Sequence, residues 1–341
     1  MIIEFRPDFR SSQLTTMSTH PLTNSHEVPA RSSSDGSAVA LRVRGLATSE
    51  CVGRGTVLDL AGLQAETKTT RVWAVVFDVL RATTVIVRAI ESGALGVRPC
   101  LTIDQARAVA TAQPSSSRVL GGERGGKAID GFDLGNSPAE YTPERCRGRL
   151  VVLTTTNGTR ALEAAAGAER VFVAAFVNLA ATARHLVACL ERELQAAPIR
   201  DSWAPPLLLL VPAGTDGRVS QEDVLAAGGL IAALQDQVQA AEPARPPRLR
   251  FTCDDDETLL AHLAWRAVAA ERQTAATATD RDAILAERLK WGRGGRNLLD
   301  LGFGRDLEDC ARVDSLPRVV ARDPNSGLLV AEESDSPPSV A

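Results

Sequence analysis

Val72-Trp-Ala-Val-Val-Phe-Asp-Val-Leu-Arg-Ala-Thr-Thr-Val-Ile-Val-Arg-Ala89 carries the clearest architectural signal in the chain. Val72 to Phe77 is an uninterrupted apolar run, with Ala74 its weakest member. It is too short for a helix and suits a strand buried on both faces, as in parallel sheets. The run ends on the carboxylate of Asp78. Arg81, Thr83 and Thr84 follow, and then Val85, Ile86, Ala89 and Ile90 recur at helical spacing up to Gly93, a C-terminal cap. In open α/β sheets, ligands bind outside the carboxyl ends of the strands, where loops and helix N-termini converge. An acid, a guanidinium and two hydroxyls at such a junction suit a metal ion or an anionic substrate. The plainer alternative makes Asp78 a helix cap and Arg81 the partner of a surface acid.

From Val72 onward, strand and helix patterns alternate, which predicts an α/β fold, layered α/β/α around a mostly parallel or mixed sheet. Further strands are expected at Val97–Leu101, Arg118–Leu120, Leu150–Thr155, Val171–Val177 and Leu207–Val211. Helices are expected at Asp104–Ala112, with a capping box from Thr102 to Gln105, at Arg160–Ala166 and at Leu179–Ala196, with Asn178 as N-cap. Three more are expected over Gln221–Gln237, from Thr252 or Asp254 to about Ala270, and over Arg281–Lys290. Ala38–Val43 and Thr56–Leu60 carry weak strand patterns. Residues 1–37 are rich in Ser, Thr, Pro and His without periodicity and are expected to form a flexible tail. Residues 332–341 are expected to fray, which leaves 38–331 as one α/β domain.

The 341 residues are 44 % apolar and 23 % charged, with a formal net charge of −4. That balance gives no pull toward nucleic acid or anionic lipid, so a small-molecule partner is expected. No apolar run approaches the roughly 20 residues of a membrane span, and the N-terminus has no signal-peptide core. Six scattered cysteines without a Cys-x-x-Cys pair indicate neither a zinc site nor a disulfide framework, and a reducing cytoplasm is the simplest compartment. A homodimer is compatible with the sequence. His185 and His262 sit in helical patterns and read as half-buried packing residues. Arg so far outnumbers Lys, of which there are three, that Lys127 is conspicuous.

Three junctions concentrate polar residues as a phosphate site would. The first is Asp78 to Thr84. The second is Thr154-Thr-Thr-Asn-Gly-Thr159, a turn into a helix with unpaired amides and the positive end of a helix dipole; simple capping by Thr or Asn is the alternative. The third is Pro212-Ala-Gly-Thr-Asp-Gly217 with Ser220-Gln-Glu-Asp223. There Ser220 and Asp223 fit a capping box, or else Glu222 or Asp223 turns inward to a divalent ion, for which oxygen ligands are the natural choice. A fourth segment, Gly121 to Pro138, packs five charged residues and six glycines into eighteen positions and reads as a functional loop. Gly121 to Lys127 has the spacing of a P-loop, but Ala128 replaces the magnesium-binding hydroxyl and no helix follows, so nucleotide binding is set aside. Arg-His-Gly and Cys-x5-Arg phosphatase signatures are absent, and Leu80 stands where an Asp-x-Asp phosphatase has its second acid. Metal-assisted attack of water on phosphorus is the remaining chemistry.

Taken together, Phe77-Asp-Val-Leu-Arg-Ala-Thr-Thr84, Gly122-Glu-Arg-Gly125, Gly131-Phe-Asp-Leu-Gly-Asn-Ser-Pro138, Thr154-Thr-Thr-Asn-Gly-Thr-Arg160 and Ser220-Gln-Glu-Asp-Val-Leu-Ala-Ala-Gly228 resemble the 2-phosphosulfolactate phosphatase family of coenzyme M biosynthesis. Arg296-Asn-Leu, Gly302-Phe, Asp306, Cys310 and Asp314 add a weaker match. The resemblance implies magnesium-dependent hydrolysis of 2-phospho-3-sulfolactate to 3-sulfolactate and phosphate on a family-specific α/β fold. On it, Asp78, Glu123, Asp133, Glu222 and Asp223 are the candidate metal ligands, and Asp78, Arg81, Glu123 and Arg124 the candidate catalytic residues. Thr83, Thr84, Lys127, Asn136, Ser137, Thr155, Thr156, Asn157, Gly158 and Thr159 are the candidate substrate contacts. Another small phosphorylated hydroxy acid as substrate, or a binder of such acids without turnover, are the alternatives.

Overall fold

The computed structural model describes residues 39–45, 64, 71–196, 204–240, 249–253 and 255–332. Its strands are β1 (Val39–Gly45), β2 (Val72–Phe77), β3 (Gly96–Pro99), β4 (Arg118–Arg124), β5 (Lys127–Ala128), β6 (Leu150–Thr154), β7 (Arg170–Ala174), β8 (Leu207–Pro212), β9 (Leu249–Cys253), β10 (Val320–Arg322) and β11 (Leu329–Ala331). The helices are α1 (Ala82–Glu91), α2 (Ile103–Thr111), α3 (Pro143–Cys146), α4 (Gly158–Ala164), α5 (Leu179–Ala196), α6 (Gln221–Ala240), α7 (Asp256–Gln273), α8 (Ala278–Leu289), α9 (Arg293–Asp300) and α10 (Gly304–Cys310). The expected terminal tails and the Thr56–Leu60 pattern lie outside the described residues.

One mixed sheet holds the strands in the order β5-β4-β6-β3-β11-β10-β7-β2-β8-β1-β9. β2 is central in its half, parallel to β7 and β8, with Phe77 opposite Ala174 and Pro212. Alternation along β2 explains the layers. Trp73, Val75 and Phe77 join a core with residues of α5, α6, α7 and α8, whereas Val72, Ala74 and Val76 face the core filled by α1 and α4. Both faces are therefore covered and no polar face is needed. A smaller core under α2 covers the second face of β4 and β6. His185 and His262 are buried as packing residues, the former edge-on to Phe172.

β10 and β11 form an antiparallel hairpin between two parallel groups, β4-β6-β3 and β7-β2-β8-β1-β9, which it turns in opposite directions. β6 and β2 stand five places apart. A twist of about 20–25° per strand accumulates to roughly 100–125° over that distance. Strands that run opposite in order are thus only about 55–80° from pointing the same way, and their carboxyl-end loops can meet.

The sequence reading differs from the structure at defined places. Gly121 to Lys127 is a strand and hairpin: β4 runs through Arg124, and Gly125 and Gly126, at φ +59° and +79°, make the two-residue turn into β5. Two positive φ values in succession are what a twisted hairpin requires. Asn178 is no helix N-cap, since its Oδ1 accepts from the Ala175 N–H at 2.9 Å; Asp314 instead receives the Ala180 N–H at 2.7 Å. Gly93 does close α1, at φ +88°, with the Ala94 N–H bonded to the Ala89 carbonyl at 3.0 Å.

Candidate active site

Three strands deliver the site. β2 ends on Asp78, β6 ends at Thr154 before the turn into α4, and β8 leads through Ala213 and Gly214 to α6. The Asp78 turn is fixed from within. Thr83 Oγ1 accepts the Asp78 N–H at 3.1 Å, and Thr84 Oγ1 donates to the Val79 carbonyl at 2.9 Å. These two hydroxyls build the turn that aims Asp78 and are bonded to backbone there.

A cavity of about 380 Å³ opens over these loops, lined by Asp78, Arg81, Glu123, Gly126, Asn136, Thr156 and Asn157. Thr215 and Asp216 from the loop after β8, and Gly294, Asn297, Asp300 and Leu301 from α9 and its end, line it as well. Asp78, Glu222 and Asp223 are buried to 8 %, 2 % and 2 % exposure. Burial pushes the Asp78 carboxyl up from 3.8 to about 7, and the neighbouring charges of Glu123 and Glu222 push the same way. Burial also raises Glu222, and it raises Asp223 together with the charges of Glu222 and Asp78. The four acids therefore share one crowded site.

Their oxygens are engaged differently. Glu123 accepts the Thr156 N–H on Oε1 and the Gly126 N–H on Oε2, each at 2.7 Å, tying the β6–α4 turn to the hairpin. Asp223 accepts the Val79 N–H at 2.8 Å and the Gly214 N–H at 2.9 Å, so it joins the loops after β2 and β8. The capping box expected with Ser220 is not formed; Ser220 pairs with the Thr215 hydroxyl at 2.7 Å. Asp78 Oδ1 receives only a long bond of 3.4 Å from the Ala82 N–H, and Glu222 Oε2 has no partner. Two glycines let helix N-termini press on these carboxylates: a Cβ at Gly158 of α4 would lie 2.7 Å from Asp78 Oδ2, and one at Gly294 of α9 only 2.1 Å from Glu222 Oε1. The dipoles of both helices favour negative charge at that spot.

Arg81 is 2 % exposed and fully held. It donates to Asp306 Oδ2 at 2.7 Å and to the Gly126 carbonyl at 2.8 Å, and stacks on Phe303 at 4.5 Å. Ser137 donates to the other Asp306 oxygen at 2.5 Å. Asn136 lines the cavity with its Oδ1 unpartnered, as is Thr156 Oγ1. Thr159 donates back to the Thr155 carbonyl at 2.8 Å, and Thr155 Oγ1 accepts the Thr159 N–H at 3.2 Å.

Other expected residues stand elsewhere. Asp133 is exposed and accepts from the Leu120 N–H and from Arg118, away from the lining residues. Arg124 turns to Thr154 and the Leu101 carbonyl, and Lys127 is exposed on β5; neither is among the lining residues. Among the described residues, no three His, Cys, Asp or Glu side chains are grouped to hold a metal ion by themselves. Asp216 and Asn297 fall within stretches quoted above, Pro212–Gly217 and Arg296-Asn-Leu, without a role of their own, and Gly294 and Asp300 fall in none. A usable signal was the glycine-rich start of α9, Gly292-Arg-Gly-Gly295, which can approach a carboxylate closely.

The family model described as 2-phosphosulpholactate phosphatase matches residues 60–323. The chain belongs to the 2-phosphosulfolactate phosphatase family. Relatives carrying the name "probable 2-phosphosulfolactate phosphatase" include proteins of Synechococcus sp. (strain RCC307), 36 % identical over 73 % of this chain and 89 % of the relative, and of Prochlorococcus marinus (strain MIT 9313), 37 % identical over 76 % and 91 %. That of Symbiobacterium thermophilum is 37 % identical over 71 % and 88 %. The match spans all three strand-to-loop junctions of the cavity as well as α9 and α10, so this 2-phosphosulfolactate phosphatase family member carries its candidate site wholly within the matched region.

The raised carboxyl values make stability depend on pH. Folded Asp78 holds its proton up to about pH 7, whereas its ordinary value is 3.8. The folded state thus binds more protons across that window, and stability falls as pH rises through it. In a metal chelator, the thermal midpoint is expected to drop between pH 5 and pH 8, with Asp78 alone contributing on the order of 3 kcal/mol. A midpoint that rises over this range, followed by calorimetry, would show that the cluster is not buried as described.

Proposed function

We propose that the protein is a magnesium-dependent, cytoplasmic phosphomonoesterase that hydrolyses 2-phospho-3-sulfolactate to 3-sulfolactate and phosphate. The observation that carries this reading is the pairing of two buried, incompletely bonded carboxylates, Asp78 and Glu222, with the cavity that Arg81, Asn136, Thr156 and Asn157 line. A pure binder of anions has no need of such acids. The names of the relatives supply the substrate, and the unpaired cysteines among the described residues suit a reducing compartment.

The donor set fits magnesium. This hard ion takes oxygen ligands and is usually held by one or two carboxylates together with waters and substrate phosphate, not by a closed protein cage. Asp78 and Glu222 would hold it, with the unpartnered Asn136 Oδ1 as a neutral donor; Glu123 and Asp223, bonded to amides, keep the loops in register. The ion supplies polarisation of a phosphoryl oxygen and neutralisation of charge. Thr156 and Asn157 orient the phosphate from the α4 side, and Arg81 adds positive field at the cavity wall. Overall, a water oxygen bonds to phosphorus, the ester P–O bond breaks, and a water proton ends on the released hydroxyl. Asp78 is our choice to take the attacking water's proton, because it stands in the cavity lining with only one long hydrogen bond on its carboxylate.

The test is phosphate release from 2-phospho-3-sulfolactate, with magnesium and after its removal by EDTA. One phosphate per substrate, lost with the metal and restored with it, is the expected result. Tight binding without release would make the protein a binder, and equal release in EDTA would remove the metal from the reaction.

A further inference from the structure

The cavity's charge is unsuited to a substrate with several anionic groups unless a cation joins from its rim. Its described lining residues include four acids, Asp78, Glu123, Asp216 and Asp300, and one guanidinium, Arg81, which is already paired with Asp306. A divalent ion between Asp78 and Glu222 would answer for the phosphoryl end. Asp216, on the loop after β8, and Asp300, on α9, add two more negative charges to the same lining, and no unpaired guanidinium among the lining residues offsets them.

Arg293 is the first residue of α9. Gly294, Asn297, Leu298 and Leu301 line the cavity at the spacing of one helix face; Arg293, four residues before Asn297, flanks that face at the rim and reaches the lining through Asp216. Its guanidinium lies 3.0 Å from Asp216 Oδ2, with the two side chains 45 % and 56 % exposed. An ion pair so exposed adds little stability, so exchanging its partner costs little. Asp216 would not follow, because it sits in a tight turn closed by two bonds between Thr215 and Arg218, at 2.9 and 3.1 Å. A guanidinium can offer two parallel N–H groups to an oxyanion.

We propose that Arg293 is the specificity residue of this site: its guanidinium leaves Asp216 and takes the substrate oxyanion that is not hydrolysed, the sulfonate or the carboxylate, at the cavity mouth. The proposal rests on the phosphatase reading for the position of the phosphoryl group and concerns the other end of the molecule.

Calorimetric binding of 3-sulfolactate at fixed magnesium tests it, since this ligand needs no turnover. Arg293→Gln is expected to weaken binding by about tenfold or more, the loss of a charge-assisted hydrogen bond. Asp216→Asn, which frees the guanidinium, is expected to tighten it. A pair that merely fastened the loop to α9 would weaken binding in both variants, and that result, or equal affinity in all three proteins, overturns the proposal. Lactate separates the two oxyanions: the Arg293→Gln penalty persists with lactate if the carboxylate is the partner and vanishes if the sulfonate is. Wild-type protein that shows this pattern yet releases no phosphate from the phosphorylated compound would sink the phosphatase reading and leave Arg293 standing. Release with no effect of Arg293→Gln on KM or on binding would do the reverse.

Discussion

Asp78→Asn is expected to lower phosphate release by about 10³-fold or more, and at the same time to unfold at a higher temperature than the wild-type protein at pH 8. The two effects share one cause. Asp78 is buried beside Glu123 and Glu222, and burial and like charge both oppose its ionised form. Asparagine has the same shape, keeps an oxygen for the Ala82 N–H and carries no charge, so it relieves the repulsion while removing the group that would bind the ion and relay the proton. Gain of stability with loss of function is the mark of an acid retained for chemistry. Steady-state phosphate release with magnesium and a thermal scan in a metal chelator measure both. A variant that turns over normally would take Asp78 out of the mechanism. One that is inactive but less stable would mean that the carboxylate holds the fold together.

Asp306→Ala is expected to cost stability heavily, about 3–5 kcal/mol, because it leaves the buried Arg81 charge without its partner. The pair is 2.7 Å long, with side chains 2 % and 5 % exposed, and Asp306 also receives Ser137. Through Arg81 it reaches the Gly126 carbonyl, and through the Gly126 N–H it reaches Glu123 and the Thr156 turn. One wall of the cavity thus hangs on Asp306. Urea unfolding with an unchanged m value should report the loss. The double variant Arg81→Met with Asp306→Leu should unfold at higher urea than Asp306→Ala, since removing both charges leaves neither stranded. Equal stability of Asp306→Ala and wild type would show that Arg81 finds another partner.

How far the sequence could be read follows from the range of each signal. β2 and its carboxyl-terminal acid were legible because six consecutive apolar residues need no distant information, and the Thr102–Gln105 cap was legible because it is local. β10 and β11 were not: at three residues each they are too short to show a period, yet they reverse the sheet and so bring the β2 and β6 loops together. The acids of the site stood out as residue types, but not their tasks. Glu123 and Glu222 look alike in sequence, and only the fold shows that amides take both oxygens of the first and leave one oxygen of the second bare. Arg81 read as an anion receptor because its partner, Asp306, lies 225 residues away. Asp133 and Lys127 read as site residues because they share a segment with Glu123, but the hairpin carries Lys127 outside the cavity lining and the Leu120 N–H and Arg118 hold Asp133 back along β4.

Asp78 and Glu222, 144 positions apart in sequence, are proposed to close on one divalent ion beside the phosphate site. Binding of Mn²⁺ in place of magnesium, followed by electron paramagnetic resonance in the presence of inorganic phosphate, decides whether they do. One ion per chain is expected in the wild-type protein, with binding lost in Asp78→Asn and in Glu222→Gln while both variants stay folded. Undiminished binding in the two variants would contradict the claim.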